Sequence, residues 1–194
     1  MAHQAMAVDR ELREGRNGHR AAILLLTGLS GAGKSTWAQA LEAELLARGA
    51  QSYVLDGDRL RQGLNAGLGF SPADRRENVR RAGEAAQLLA DAGQIVILAL
   101  IAPLAEYREL LRAQSRVPFF EIWCSAALEV CEARDCKGLY ARARAGELAE
   151  FTGISAPYET PRQPDLVLDS ATLSVAEGVE RLLGLLRRQG ILAG

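Results

Sequence analysis

Gly28-Leu29-Ser30-Gly31-Ala32-Gly33-Lys34-Ser35-Thr36 matches the pattern GxxxxGK[ST]. Glycines let backbone N–H groups turn inward around phosphate oxygens with no Cβ in the way. A helix opening at the end of such a loop adds the positive end of its dipole. Lys34 offers a compact charge for β- and γ-phosphates, Ser35 a hydroxyl for Mg²⁺, and Thr36 a hydroxyl for a phosphate oxygen. The chemistry is that of a nucleoside triphosphate, and the loop alone does not separate kinase, ATPase and GTPase. The apolar run Ile95–Leu100 leads into Ile101-Ala102-Pro103 with no aspartate, and no NKxD guanine-reading motif occurs. Both absences disfavour a GTPase switch or a motor ATPase. The nearest acids at the end of an apolar run are Asp56 and Asp58. They stand where a small-molecule kinase needs a base for an acceptor hydroxyl and a carboxylate on the Mg²⁺ side. A turn followed by a helix cap is the plainer alternative for Asp56-Gly57-Asp58.

A second group follows: Arg61, then Phe70, then Arg75-Arg76-Glu77-Asn78 and Arg80-Arg81. Guanidinium forks bind phosphate or sulfate oxygens two at a time. On a helix from Pro72, Arg75 and Asn78 share a face, as do Arg76 and Arg80. One face must pack on the body of the protein, so Arg76 and Arg81 are expected on the exposed charged side. Phe70 and Phe151 lie in loops beside glycines, and loop aromatics beside a phosphate site can stack a purine.

The elements that must hold these residues alternate. Ala21–Thr27, Ser52–Leu55, Ile95–Leu100, Phe119–Cys124 and Leu166–Asp169 read as strands, mostly buried on both faces. Helices are expected over Lys34–Arg48 (with Trp37, Leu41, Leu45 and Leu46 as its apolar positions), Asp58–Leu64, Pro72 to about Ala92, Leu104–Arg116, Ala127–Arg134 and Leu139–Ala145. A last one runs from the Ser174–Glu177 capping box to Arg188. Glu150–Pro164, with three prolines, reads as a long loop or lid. Alternation of this kind means an α/β fold with a parallel sheet, whose ligands bind beyond the C-terminal strand ends. Residues 1–20 form a loosely ordered or helical arm carrying Arg10, Arg13, Arg16 and Arg20, and 21–194 form one domain.

Composition bounds the partners. The 194 residues carry 23 basic and 24 acidic side chains, a net charge of −1. That excludes the basic surplus of a general nucleic-acid or anionic-membrane binder. No apolar run spans a membrane, and Met1–Arg20 lacks the apolar core of a signal peptide. Cys124, Cys131 and Cys136 form no CxxC pair, and with only His3 and His19 a zinc site is not expected. Free thiols fit a reducing cytoplasm. Lys34 and Lys137 are the chain's two lysines.

Taken together, the residues resemble the adenylylsulfate kinase (APS kinase) family. The similar segments are Thr27–Thr36 (TGLSGAGKST), Asp56–Arg81 (containing GFSPADRRENVRR), Leu128–Tyr158 (containing KGLY and FTGISAPY) and Pro164–Asp169. The resemblance implies a P-loop NTPase-type three-layer α/β fold with a central, mostly parallel sheet of about five strands and a lid region. It implies transfer from Mg²⁺/ATP to the 3′-hydroxyl of adenosine 5′-phosphosulfate (APS), in a cytoplasmic homodimer with a functional link to a sulfurylase. ATP phosphates would lie on Gly28, Ser30, Gly31, Ala32, Gly33, Lys34, Ser35 and Thr36, with Ser35 on Mg²⁺. Asp58 would orient or deprotonate the hydroxyl, Asp56 would lie on the Mg²⁺ side, and Lys137 would reach the transferring group. Arg61, Phe70, Arg75, Asn78, Ile101, Ala102, Phe151 and Thr152 would surround the acceptor, and residues 137–160 would close over it. The chain departs from the family's usual residues at Arg59, Ala102, Leu104, Ala105 and Cys136. Alanine at 102 stands where family members commonly carry a phosphorylatable serine, so transfer would be direct. A P-loop kinase for a related nucleotide or small-molecule acceptor, or an APS- or nucleotide-binding module without turnover, are the alternative readings of these departures.

Overall fold

The computed structural model describes residues 8–193. His3 and the first seven residues of the arm lie outside them.

Five strands form one parallel sheet in the order β2-β3-β1-β4-β5: β1 Ala22–Thr27, β2 Ser52–Asp56, β3 Ile95–Ala99, β4 Phe119–Ser125 and β5 Leu166–Asp169. β1 is central in that order, and every one of its side chains is buried, as are those of β3. Alternate residues point to opposite faces. Ala22, Leu24 and Leu26 join one core with Trp37, Leu41 and Leu45 of α2 (Lys34–Ala47) and with Leu182, Leu183 and Leu186 of α8 (Val175–Arg188). Ile23 and Leu25 join the other, against Val79, Ala82 and Ala86 of α4 (Pro72–Asp91) and Tyr107 and Leu111 of α5 (Ala105–Gln114). Two helical layers thus cover the sheet.

The remaining helices are short: α1 Arg10–Asn17, α3 Gly57–Gln62, α6 Leu128–Arg134 and α7 Leu139–Arg144. Within the described part of the arm, Arg10–Asn17 is helical. It docks through Arg13 Nη1 on the Asp91 carbonyl (2.7 Å), Asn17 Nδ2 on the Gly93 carbonyl (3.0 Å), and Glu14, which accepts from the Ala21 N–H (2.9 Å).

Several expected boundaries move. α3 begins at Gly57 because the Asp56 carboxylate caps the Asp58 N–H, and it ends at Gly63. α5 spans ten residues, since Leu104 before it and Ser115 after it are extended. Of the apolar positions expected in α2, Trp37, Leu41 and Leu45 lie in the core, but Leu46 is 73% exposed. The capping box at Ser174 and Glu177 forms as expected.

Candidate active site

Loops at the C-terminal ends of β1, β2, β3 and β5 surround a cavity of about 790 Å³. The phosphate loop forms its floor. Gly28 must be glycine: its φ is 154°, and an ideal Cβ would stand 2.4 Å from the Cys124 carbonyl oxygen. Ser30, Gly31, Gly33, Lys34, Ser35 and Thr36 line the cavity, whereas Gly28 and Ala32 lie behind its wall. The Ala32 N–H bonds the Leu29 carbonyl (3.2 Å), so it serves the loop's own shape.

Lys34 is buried and donates to the carbonyls of Gly28 (3.0 Å) and Leu29 (2.7 Å). Burial pulls its pKa below the usual lysine value, opposed by Cys124, Cys131, Asp58 and Asp56. Ser35 Oγ donates to Asp56 Oδ2 at 2.6 Å. A hydroxyl and a carboxylate oxygen in contact are hard donors of the kind Mg²⁺ takes from a protein while phosphates and water complete its shell. Among the described residues, no three His, Cys, Asp or Glu side chains cluster as metal ligands. Asp56 thus stands at the end of β2, the strand beyond β3, whose own end carries no acid.

Asp58 lies in the first turn of α3 and pairs with Lys137, which arrives from the loop between α6 and α7. Both side chains are more than half exposed. An exposed pair of this kind contributes about 0–1 kcal/mol, so substrate groups can replace it.

The far side of the cavity carries the arginines and aromatics. Arg61 donates to the carbonyls of Leu68 (3.1 Å) and Gly69 (3.2 Å), and its guanidinium lies 4.3 Å from the Phe70 ring centre. Burial first, then Arg75, lowers its pKa. Arg75 lies 5.5 Å from the same ring and bonds the Phe70 carbonyl, the Glu150 carbonyl and Thr152 Oγ1. Asn78 is buried, its Oδ1 accepting from Asn65 Nδ2 at 3.0 Å. Phe151 is half-buried against Tyr140, edge to face at 5.0 Å. Ile101, Ala102 and Thr152 complete this wall. Every expected acceptor residue therefore faces one cavity, although Arg61 covers a face of Phe70. Arg76 is exposed, and Arg81 bonds Glu77 (2.8 Å) and the Leu64 carbonyl, consistent with the charged outer side of α4.

Of the departing residues, Ala102 and Cys136 line the cavity, but Arg59, Leu104 and Ala105 do not. Arg134 also faces it and was not anticipated. Its guanidinium bonds the Gly31 carbonyl (3.0 Å), Ser170 Oγ (2.8 Å) and the Ser170 carbonyl (2.7 Å). Ser170 could have been found from its place just after β5, whereas Arg134 is one arginine among many. Tyr140, likewise unforeseen, donates to the Ser30 carbonyl at 2.9 Å.

Residues 20–169 match the adenylylsulphate kinase family. The chain is 51% identical over 191 residues to the adenylyl-sulfate kinase of Geotalea daltonii, covering 96% of this chain and 94% of that protein. It is 50% identical to the solved APS kinase CysC of Mycobacterium tuberculosis in complex with AMPPNP and APS, with a TM-score of 0.85 over 87% of this chain and 99% of that one. A gluconokinase from Sinorhizobium meliloti, 18% identical with a TM-score of 0.54 over 90% of this chain and 95% of that one, shares the fold alone.

Proposed function

The chain belongs to the adenylylsulphate kinase family, and we propose that it phosphorylates the 3′-hydroxyl of APS with ATP, giving 3′-phosphoadenylyl sulfate and ADP. The observation that carries this reading is a single cavity with Lys34, Ser35 and Asp56 at one end, arginines and aromatics at the other, and Asp58 paired with Lys137 between them. The loop at Gly28–Thr36 holds the ATP phosphates. Lys34 exchanges its two carbonyl partners for β- and γ-phosphate oxygens. Ser35 and Asp56 would hold Mg²⁺, which supplies charge neutralisation on those oxygens when bound.

The acceptor's purine lies by Phe70 and Phe151, while Arg61, Arg75 and Asn78 hold its anionic or ribose groups. Asp58 orients the 3′-hydroxyl and takes its proton. As the O–H bond breaks, that oxygen bonds to the γ-phosphorus, and the bond to the β,γ-bridging oxygen breaks to release ADP. Lys137 leaves Asp58 to neutralise the moving phosphoryl group. Ala102 has no hydroxyl to be phosphorylated, so transfer is direct and in line. Residues 137–160 close over the site and exclude water.

Residues 21–194 are the catalytic domain in this reading, in a cytoplasmic homodimer linked to a sulfurylase that supplies APS. ADP release with and without APS, with the product identified, tests it; a panel of other nucleotide acceptors run alongside reads the acceptor. Turnover with another nucleotide but not APS would reassign the acceptor, and binding without turnover would make the protein a binding module.

A further inference from the structure

Arg108 has no part in the chemistry above, yet its guanidinium is buried beside the acceptor wall. On α5 it is 4% exposed, with Nε 2.6 Å from Glu121 Oε1 on β4. Nη1 donates to the carbonyls of Ala102 (3.1 Å) and Pro103 (3.3 Å). Those residues line the cavity, and Ala102 holds a φ of 40°, left-handed backbone that a residue with a Cβ adopts only where its surroundings enforce it.

Other ties converge on this turn. The Pro103 carbonyl also accepts from the Glu159 N–H at 2.8 Å. The Glu159 carboxylate accepts from the Ala105 N–H at 2.7 Å, capping α5 where Leu104 has no side chain able to do so. Tyr158 OH donates to Thr27 Oγ1, which donates to the Ile101 carbonyl. β1, α5 and the end of the proposed lid thus meet at residues 101–103.

A buried ion pair is a poor source of stability compared with packed apolar side chains. What Arg108 provides is geometric. Its Nε lies in ion-pair contact with Glu121 while Nη1 donates to two loop carbonyls, a planar arrangement that a lysine cannot reproduce. We propose that Arg108, held by Glu121, is a positioning residue for the acceptor. It keeps Ala102 left-handed and so fixes the wall against which the acceptor hydroxyl is aligned. The acceptor's identity rests on the function proposed above; the loop geometry does not.

Arg108→Leu alone would remove the nearer cation of the mostly buried Glu121 carboxylate, leaving it only Arg112 Nη2 at 3.7 Å, so the main test pairs it with Glu121→Leu. The paired variant is expected to fold and to raise the KM for APS about tenfold, the scale of effect that one strained residue supports. The KM for ATP should stay within about twofold. Equal rises in both constants, or none in either, would overturn the proposal. Adding Ala102→Gly, which removes the penalty for positive φ, should restore most of the APS affinity; no recovery would contradict the role given to strain. Arg108→Lys keeps the charge but loses the fork, and should give the same split in milder form; parental constants would contradict it. A crystal structure of the paired variant should place residue 102 at negative φ. An unmoved loop would overturn the proposal whatever the acceptor, while turnover of the unaltered protein with APS reads the function separately.

Discussion

Lys34 brings a buried positive charge to the floor of the cavity. Its ammonium is buried against carbonyls, in a place the phosphates would make favourable. Lys34→Ala should lower turnover by roughly 10²–10³-fold, as loss of one transition-state donor does, with APS affinity by calorimetry nearly unchanged. The lowered pKa gives a second prediction. Phosphate favours the charged ammonium, so binding raises the Lys34 pKa, and ATP affinity falls as pH climbs through the lowered value, below the usual 10.5. Between those values the unfolded chain binds more protons than the folded one, so this group's contribution to stability rises with pH. Calorimetric ATP titrations over a series of pH values below 10.5 should show the loss in the parent and not in Lys34→Met. At this scale the sequence was most informative where a motif fixed spacing. Lys34, Ser35 and Asp58 were legible; Arg134 and Arg108 were not, because nothing local marks one arginine as turned inward.

A helix cap was legible where both partners lie within one turn, as at Ser174 with Glu177. The start of α5 was not, because its cap comes from Glu159, 54 residues away. The exposure of Leu46 was missed because apolar spacing marks a stripe but not which of two neighbours faces the core. Packing between helices gives the third prediction. A Cβ at Gly178 of α8 would stand 2.2 Å from Trp37 Nε1 of α2. Gly178→Ala should therefore cost about 1–3 kcal/mol in urea denaturation, the usual range for overpacking. An unchanged midpoint would show that the two helices separate more freely than their packing implies.

The α/β class followed from alternation of strands and helices, and its parallel sheet is present. Strand order was not readable: runs such as Leu24–Leu26 and Ile95–Leu98, apolar on both faces, carry no register signal. The order β2-β3-β1-β4-β5 places Asp56 one strand beyond β3, and this is how a carboxylate reaches Ser35 without an acid after β3. Among the described residues, no helix is long and apolar enough to cross a membrane. Sedimentation should give about twice the 20.9 kDa chain mass if the protein is a homodimer, and a single chain mass would remove that part of the proposal.

The most direct measurement of the central claim is ADP release by the purified protein with Mg²⁺ and ATP, with and without APS, and with the nucleotide product identified. The account predicts APS-dependent ADP release matched one for one by 3′-phosphoadenylyl sulfate. ADP release no faster with APS than without it would contradict the account.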